Sequence, residues 1–252
     1  MRKALITIII ALLCVLLLSI HSSEKLLQIY MLDVGQGDSF LIISPDGKKL
    51  LVDTGKDDSA VKDLRSILSP FDTTIDYVLI THPDSDHAGG YKYIEDFYSV
   101  TSKLENATDN SDFTLGCCVS IDFVWPQAGF KSTQTNENSA AFFIKYEAFS
   151  GFFDGDLPST EEDIVATEHP IDVSLLKVSH HGSSSSTDNF MLSVFKPEIA
   201  LISVGKNNSY HHPTARTLAN LKNVKALIYR TDELGTVHLT SDGITVNYTF
   251  NN

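Results

Sequence analysis

Four side chains that can bind a metal ion stand close together in the segment His82-Pro83-Asp84-Ser85-Asp86-His87. They follow the apolar segment 77–80, which predicts a short buried strand. A strand end is a rigid place from which a loop can direct several ligands at one point. Carboxylates packed together without a cation repel one another and lose their hydration, and a metal ion relieves that cost. A polar surface turn with helix-capping aspartates is the alternative for this segment taken alone.

Two later segments place further metal-binding side chains at the ends of apolar strands. Asp156 follows the aromatic pair Phe152-Phe153, and His180-His181 follows the apolar segment 172–178. Each segment alone is compatible with an ordinary turn, but three such strand ends in order favour one shared site. Imidazole and carboxylate ligands suit a mononuclear or dinuclear centre that activates water. Either His180 or His181 fits as the direct ligand.

The elements that must carry these ligands are strands that alternate with a few helices. Apolar alternation and turn residues predict strands at 27–32, 39–43, 49–53, 77–80, 121–125, 140–145, 151–153, 172–178, 199–204, 226–229 and 236–239. Helical spacing of apolar residues predicts helices at 59–68, 189–195 and 214–221. The polar segment 99–112 predicts a loop or an insertion. This order is typical of an α/β or α+β domain.

The N-terminal 25 residues are expected to lie outside the folded domain. Arg2 and Lys3 precede an uncharged apolar run, 4–20, as in a signal peptide or a membrane anchor. No clear cleavage site follows the run, which favours an uncleaved anchor over a cleaved signal. The basic residues should stay in the cytoplasm and place the remainder outside. We therefore expect an extracytoplasmic domain, 26–252, that is membrane-anchored or secreted.

Composition and charge restrict the partners that this domain can take. The apolar content of 42% and the charged content of 20% are those of a globular protein. The net charge of -13 argues against a general nucleic-acid coat protein, which would be basic. The segment from Lys196 to Arg230 nevertheless holds six basic residues and one acidic residue. This segment predicts either a solvated face or the lining of an anionic-substrate site.

Several motifs in a fixed order carry a resemblance to a known family. They are Asp33-Val34-Gly35-Gln36-Gly37-Asp38-Ser39, Val52-Asp53-Thr54-Gly55, 82–90, Asp154-Gly155-Asp156, 177–183, 202–205 with 208–213, and Tyr229-Arg230-Thr231-Asp232. On these motifs the chain resembles the metallo-β-lactamase-like domain of the ComEC-type competence proteins, over most of the sequence from about residue 27 to 240. The resemblance implies an αββα sandwich, in which two packed sheets carry helices outside and the metal site lies at one edge.

The resemblance also implies roles for individual residues. The main metal-ligand motif of the family falls on His82, Asp84, Asp86 and His87. Its bridging carboxylate falls on Asp156, and its last ligand falls on His180 or His181. Asp53 falls where a carboxylate orients the site, and we expect Asp53 and Asp86 to be the catalytic residues. The residues expected to contact the substrate are Asn138, Ser139, Ser183 and His212.

Two departures from the wider superfamily bear on the metal. Asp84 stands where that superfamily usually has histidine, and no histidine occurs between His87 and His169. One metal position is therefore poor in nitrogen ligands and rich in oxygen ligands. We expect one or two divalent metal ions, zinc or manganese, and the oxygen-rich position favours manganese because it is the harder ion.

Three functions are consistent with these residues. The first is an extracytoplasmic metal-dependent hydrolase, a phosphodiesterase or nuclease that acts on DNA or another phosphodiester. The second is a hydrolase of a small non-nucleic substrate, and the third is a non-catalytic DNA-binding module of the competence type. ComEC-type proteins join this domain to a multi-span membrane channel, whereas this sequence has one candidate span, so DNA uptake is not expected as its whole function. The sequence favours the first function, and no protein partner can be inferred from it.

Overall fold

The computed structural model describes residues 26–250, which form two packed sheets of seven strands each. The strands of the first sheet are β1 (Leu27–Met31), β2 (Phe40–Ile43), β3 (Lys49–Val52), β4 (Thr74–Ile80), β5 (Ser99–Glu105), β13 (Val237–Ser241) and β14 (Val246–Phe250). They lie in the order β14-β13-β1-β2-β3-β4-β5. β3, β4 and β5 are parallel to one another and to β1, whereas β2 and β13 are antiparallel to β1.

The second sheet completes the sandwich with strands from the middle of the chain. Its strands are β6 (Phe113–Leu115), β7 (Val119–Trp125), β8 (Ala141–Tyr146), β9 (Phe149–Phe153), β10 (Leu175–Lys177), β11 (Ile199–Ile202) and β12 (Leu227–Arg230). They lie in the order β12-β11-β10-β9-β8-β7-β6. β9 to β12 are parallel, and β6 to β9 form an antiparallel meander. Both sheets are therefore mixed.

Helices cover the outer faces of both sheets. They are α1 (Ser59–Ile67), α2 (Ser85–Ala88), α3 (Tyr91–Phe97), α4 (Ser159–Glu168), α5 (Asn189–Phe195), α6 (Ala215–Asn223) and α7 (Thr231–Leu234). The strand period of two residues explains the layers, because alternate side chains point to opposite faces. In β1, Ile29 packs between the sheets, while Tyr30 joins the outer layer that contains Leu64 of α1. A third apolar layer joins Leu192 of α5 to the outer face of the second sheet. The αββα sandwich is confirmed.

The direction of the strands gives the sandwich two unlike edges. β1, β3 and β4 of the first sheet and β9 to β11 of the second sheet all end at one edge. The polar segments that follow these strands begin there, and they hold almost all of the predicted ligands. The hydrogen bond from the Ala140 amide to the Thr81 carbonyl at 2.9 Å joins the two sheets at this edge. We call it the metal edge, and the other one the opposite edge.

The structure corrects the first half of the prediction for 99–112, which expected a loop or an insertion. Residues 99–105 form β5, an edge strand whose side chains alternate between exposed and half-buried positions. Edge strands are only partly buried, so their sequence is more polar than that of a central strand. Four helices, α2, α3, α4 and α7, were not predicted. α4 buries Glu161 and Glu162 and therefore lacks the apolar period that would have revealed it.

Within residues 26–250 no helix is both long enough and apolar enough to cross a bilayer. The predicted N-terminal anchor or signal segment, 1–25, lies outside the described residues.

Phe142 tests the contribution of the layer between the sheets. Its ring is fully buried and stacks on Phe153 with the centroids 5.2 Å apart. We expect Phe142→Ala to reduce the free energy of unfolding by about 3–5 kcal/mol, because it leaves a cavity in a packed layer. Denaturant unfolding of the full chain in mild detergent measures this change. Phe71→Ala is the matched control, since Phe71 is 95% exposed, and its expected change is within about 0.5 kcal/mol.

Candidate metal centre

The metal edge brings together side chains that are far apart in the sequence. The first sheet contributes the loop 82–87, which follows β4 and contains the start of α2. The second sheet contributes Asp156 after β9, and His180 and His181 after β10. Because these strands all end at the same edge, the three segments converge on one buried point.

Two groups of ligand atoms share the carboxylate of Asp156. On one side, His82 Nε2 lies 4.0 Å from Asp156 Oδ2 and 3.7 Å from Asp84 Oδ2. On the other side, His87 Nε2 lies 3.3 Å from Asp156 Oδ1, and His181 Nε2 lies 3.7 Å from Asp156 Oδ2. Ligands bound at about 2.0–2.3 Å to one divalent cation stand about 3–4 Å from one another. The arrangement therefore offers one or two cation positions that meet at Asp156.

Asp53 orients the two imidazoles that the first sheet contributes. His87 Nδ1 donates to Asp53 Oδ2 at 2.8 Å, so that ring carries its proton on Nδ1. The Thr81 hydroxyl donates to the same oxygen at 2.7 Å and therefore accepts from His82 Nδ1 at 3.1 Å. The Thr81 amide donates to the other oxygen of Asp53 at 2.8 Å. Nε2 of both rings is left to face the cluster, so Asp53 acts on the site through His82 and His87.

His181 is oriented in the same way by the second sheet. Its Nδ1 lies 3.0 Å from the backbone oxygen of Ser203, which can only accept a hydrogen bond. Nδ1 therefore carries the proton, and the Asp38 carboxylate lies 3.3 Å from it. Nε2 of His181 faces Asp86 Oδ2 at 3.4 Å. Asp86, His87 and His181 form one of the groups whose donor atoms lie close enough to hold a metal ion.

Buried atoms without partners show what this cluster lacks. Within residues 26–250, the Nε2 atoms of His82, His87 and His181 and Oδ1 of Asp156 are buried with no hydrogen-bond partner. Buried polar atoms are almost always paired, because an unpaired one has lost its water without compensation. One or two divalent cations that share Asp156 would satisfy these four atoms. The mixture of imidazole nitrogen and carboxylate oxygen fits zinc or manganese.

A buried lysine, which the sequence interpretation left without a role, also lies in the cluster. Lys177 Nζ contacts Asp38 Oδ2 at 2.5 Å and lies 3.7 Å from Asp156 Oδ1. It also donates to the backbone oxygen of Gly155. Asp38 and Lys177 both stand in the motifs that carried the family resemblance, which is the signal that could have identified them. Their ion pair fixes a positive charge behind Asp156 and supports His181 through Asp38.

The charges of the cluster favour a cation. Burial alone would raise the pKa of Asp156, but His87, His181 and Lys177 hold that pKa well below its ordinary value. Burial alone would lower the pKa of both histidines, yet neighbouring carboxylates raise the pKa of His181 to about 9 and that of His87 well above its ordinary value. Burial and the nearby His87 lower the pKa of His82 to about 4. Protons on His87 and His181 thus supply positive charge where a metal ion otherwise would.

His180 occupies a different position from its neighbour. Its side chain is 31% exposed, and its Nε2 lies 3.7 Å from Asp156 Oδ2. The ring of His212 lies 5.8 Å away, and Tyr210 stacks on His212 at 5.7 Å. His181 is therefore the ring that faces the buried cluster, whereas His180, His212 and Tyr210 line its solvent-facing rim. Burial lowers the pKa of both His180 and His212, so both rings are neutral near pH 7.

The side chains of the other three predicted substrate contacts are hydrogen-bonded within the fold, and their contact with a substrate stays a prediction. Both atoms of the Asn138 amide group are bonded to the backbone of 132–134, so this side chain closes its own loop. The Ser139 hydroxyl accepts from the Asp156 amide at 3.2 Å and so supports the central carboxylate. The Ser183 hydroxyl pairs with that of Ser185 at 2.9 Å. Asn136, which was not predicted, contacts the rim, because its Nδ2 atom lies 3.5 Å from His180 Nδ1.

Close backbone contacts hold the ligand segments together. A Cβ atom on Gly37 would lie 2.3 Å from the Asp86 carbonyl oxygen, so only glycine lets the segment before β2 approach the ligand loop. That approach allows the Asp38 amide to donate to the same oxygen at 3.1 Å. Asp53, His180 and His181 all have positive φ angles, between 49° and 56°. Strained backbone of this kind persists where surrounding contacts fix it, and it clusters at functional sites.

The fold is that of a known family. The family model of the Metallo-beta-lactamase superfamily matches residues 32–187, and the chain belongs to this superfamily. Proteins of this superfamily are generally metal-dependent hydrolases that bind one or two metal ions.

Relatives with curated names include competence proteins. The chain is 30% identical to "Recombination protein 2" of Haemophilus influenzae, over 91% of this chain and 31% of that protein. It is 27% identical to "ComE operon protein 3" of Bacillus subtilis, over 83% of this chain and 32% of that protein. The chain thus spans about a third of the length of these relatives.

Solved structures agree with this fold at low sequence identity. CmlA, a diiron beta-hydroxylase from Streptomyces venezuelae, has a TM-score of 0.58 and 12% identity, over 87% of this chain and 54% of that one. A diphosphatase from the PhnP family has a TM-score of 0.50 and 12% identity, over 85% of this chain and 98% of that one. At this identity the likeness concerns the fold alone.

Asp53→Asn tests the orientation of the imidazoles. The substitution keeps the size of the side chain but removes the negative charge that accepts from His87 Nδ1 and the Thr81 hydroxyl. We expect metal affinity to fall about 10–100-fold, as for other partners of metal-bound histidines. Competition with a chromogenic chelator measures the affinity. Asp58→Asn removes an exposed carboxylate that pairs with Lys62 at 2.7 Å, and should leave the affinity unchanged. Equal affinities for the two variants would contradict the assigned role.

Proton release on metal binding tests the charges. Because the pKa of His181 is about 9 and that of His87 is also raised, both rings are protonated at pH 7 before the metal binds. A metal ion needs the neutral Nε2, so binding at pH 7 should release protons, and affinity should rise about tenfold per pH unit for each proton released. The share from His181 should vanish above pH about 9.

Calorimetry in buffers of different ionisation enthalpy counts these protons. His181→Gln should lower the count by one, while His169→Gln, which alters a histidine outside the cluster, should leave it unchanged. A count that is the same in His181→Gln would show that this ring is not protonated in the metal-free protein.

Proposed function

We propose that this chain is an extracytoplasmic metal-dependent hydrolase that cleaves phosphodiester bonds, with DNA as its substrate class. The observation that carries the proposal is the set of buried, unpartnered Nε2 atoms around Asp156. These atoms would hold a divalent ion next to the open rim, where a substrate can reach it. When bound, the ion supplies Lewis-acid polarisation of a phosphoryl oxygen and activation of water.

The residues of the chain divide the remaining work. Asp86, His87 and His181 with Asp156 would hold one ion, and His82 and Asp84 with Asp156 would hold a second. The second group offers one nitrogen ligand, which supports manganese at that position over zinc. Asp53 keeps the His82 and His87 rings in place, and Lys177 balances the charge of Asp156 from behind. Asp86 and Asp53 therefore contribute to catalysis by holding the ion and by orienting its ligands.

The rim favours a nucleic-acid substrate over a small molecule. Tyr210 is 65% exposed and stacks on His212, whose ring lies 5.8 Å from that of His180. An exposed aromatic ring next to a metal centre offers a surface on which a base can stack. The neutral His180 and His212 rings can hydrogen-bond to phosphate oxygens. Arg216, whose guanidinium donates to the Ser184 backbone oxygen at 3.1 Å, adds positive charge close to the same rim.

The basic segment 196–230 supports this proposal only in part. Arg230 pairs with Asp232 and Glu233, and Lys196 pairs with Asp172. These cations are already neutralised within the fold. Substrate attraction would therefore depend on the metal ions, on the rim histidines and on the basic residues of this segment outside these pairs, Lys206, Arg216, Lys222 and Lys225.

The proposed location rests on the N-terminal sequence. Basic Arg2 and Lys3 before the apolar run 4–20 support anchorage of the chain in a membrane, with the domain outside the cytoplasm. The names of the relatives, which refer to competence and recombination, support a substrate among the nucleic acids.

The test uses the full chain, purified without chelators and supplied with manganese or zinc. We expect cleavage of single-stranded DNA and of bis(p-nitrophenyl) phosphate. Asp156→Ala should lower both rates by about 10³-fold or more, since it removes the ligand that both cation positions share. Asp96→Asn, at an exposed carboxylate on α3, should retain both rates.

Tyr210→Ala separates the substrate classes. It should raise KM for DNA about tenfold, because stacking contributes about 1–3 kcal/mol per base, and leave the small diester unaffected. Bound metal with diester cleavage but no DNA cleavage would direct the search to a small non-nucleic substrate. A chain that binds DNA but neither binds metal nor cleaves would instead be a DNA-binding module.

A further inference from the structure

The two most exposed large apolar side chains within residues 26–250 are Phe71 and Ile244. Phe71 is 95% exposed and Ile244 is 82% exposed, whereas Leu227 and Phe97 are about half exposed. Single exposed apolar residues are ordinary on protein surfaces, so their positions decide whether they matter.

All four residues lie at the opposite edge, away from the metal centre. Phe71 and Phe97 shortly precede β4 and β5, and Leu227 begins β12. These three strands run toward the metal edge, so their first residues lie at the opposite edge. β13 runs the other way, and Ile244 lies in the turn that follows it. The opposite edge therefore displays the two most exposed apolar side chains of the described residues, Phe71 and Ile244, whereas the metal edge carries the exposed ring of Tyr210.

The chain also enters the first sheet at this edge. Leu27, the first residue of β1, pairs with Ser241, and the turn that carries Ile244 follows Ser241 directly. Phe71 lies on the other side of β1, just before β4, which is three strands away. At about 4.8 Å per strand, that is a separation of about 14 Å. Phe71 and Ile244 therefore flank the start of β1.

The apolar run 4–20 stands a short distance before that point in the sequence. Six residues, 21–26, separate Ile20 from Leu27. An extended chain spans at most about 3.5 Å per residue, so the spacer reaches about 25 Å at most. If the run is embedded in a bilayer, the start of β1 must lie within that distance of the lipid surface.

Two lysines at the opposite edge are paired with carboxylates and offer little attraction to anionic lipid. Lys48 pairs with Asp76 at 2.8 Å, and Lys49 pairs with Asp72 at 2.9 Å. Asp242, next to Ile244, is exposed and acidic. Anionic headgroups attract clusters of unpaired Lys and Arg, and these lysines are already paired. These two lysines therefore add little to lipid binding, and the exposed apolar side chains are the groups at this edge that can enter a bilayer.

We propose that the opposite edge rests on a lipid bilayer, with Phe71 and Ile244 inserted at the boundary between headgroups and acyl chains. The proposal rests on the N-terminal anchorage proposed above and is independent of the substrate. The domain would then contact the membrane at two places. The N-terminal anchor would keep the domain near the bilayer, and Phe71 and Ile244 would fix the orientation of the opposite edge against it. The metal centre then faces the aqueous phase, about one strand length from the lipid, where a soluble polymer can reach it.

Tryptophan emission tests this orientation, because Trp125 is the only tryptophan of the chain and is 3% exposed. Full-length Phe71→Trp and Ile244→Trp are placed in phosphatidylcholine vesicles with ordinary or dibrominated acyl chains. Bromine quenches tryptophan only at short range, and inserted side chains lie about 5–10 Å into the boundary region. We expect each added tryptophan to lose about half of its emission or more, with no change at high salt.

Tyr210→Trp is the matched control, because Tyr210 is 65% exposed and lies at the metal edge. Its emission should be the same in both kinds of vesicle. Equal quenching at positions 71 and 210, or a chain that does not float with the vesicles, would overturn the proposal. The tryptophan at position 71 could instead show a blue-shifted emission that increases with protein density and is not quenched by bromine. This result would also overturn the proposal, since a second copy of the chain would then cover this edge. Loss of hydrolysis alone would leave these signals unchanged, so the two proposals fail separately.

Discussion

The buried carboxylate of Asp156 is contacted by charged and imidazole side chains from both sheets. Nε2 atoms of His82 and His87 reach it from the first sheet, and His181 Nε2 and Lys177 Nζ reach it from the second, all within 4.0 Å. A negative charge at this depth is stable only if positive charge surrounds it. That requirement explains why segments distant in sequence converge here, and why several of the buried ligand atoms remain unpaired without a cation.

The chain meets this requirement in two ways with different consequences. Lys177 provides a permanent charge, held by Asp38, that orders the centre whether or not a metal ion is bound. The imidazoles provide a positive charge that can be exchanged. Their Nδ1 atoms are hydrogen-bonded to Asp53, Thr81 and Ser203, so Nε2 is left to bind either a proton or a metal ion. The centre can therefore keep its geometry through loading, which a hydrolase needs in order to avoid reorganising its ligands during the reaction.

The polarity of the sandwich assigns different work to its two edges. Parallel strands of both sheets end at the metal edge, so the polar segments that contain the candidate metal ligands lie there. The opposite edge contains the turns and the first residues of these strands. The N-terminal side of β1 also falls at that opposite edge, beside Ile244. This separation makes it feasible for one end of the domain to contact a membrane while the other is open to a polymeric substrate.

The sequence by itself placed His and Asp at the ends of predicted strands, which is a local signal, and its resemblance to a family implied the sandwich that the structure confirms. It also indicated that Asp53 acts by orientation. It could not choose between His180 and His181, since neighbouring residues share every sequence property and differ only in direction, which the positive φ angles of this turn decide. The sequence interpretation also gave no roles to Asp38 and Lys177, and it did not predict the polar edge strand β5. Their positions follow from partners more than 20 residues away, and only tertiary packing brings those partners within reach.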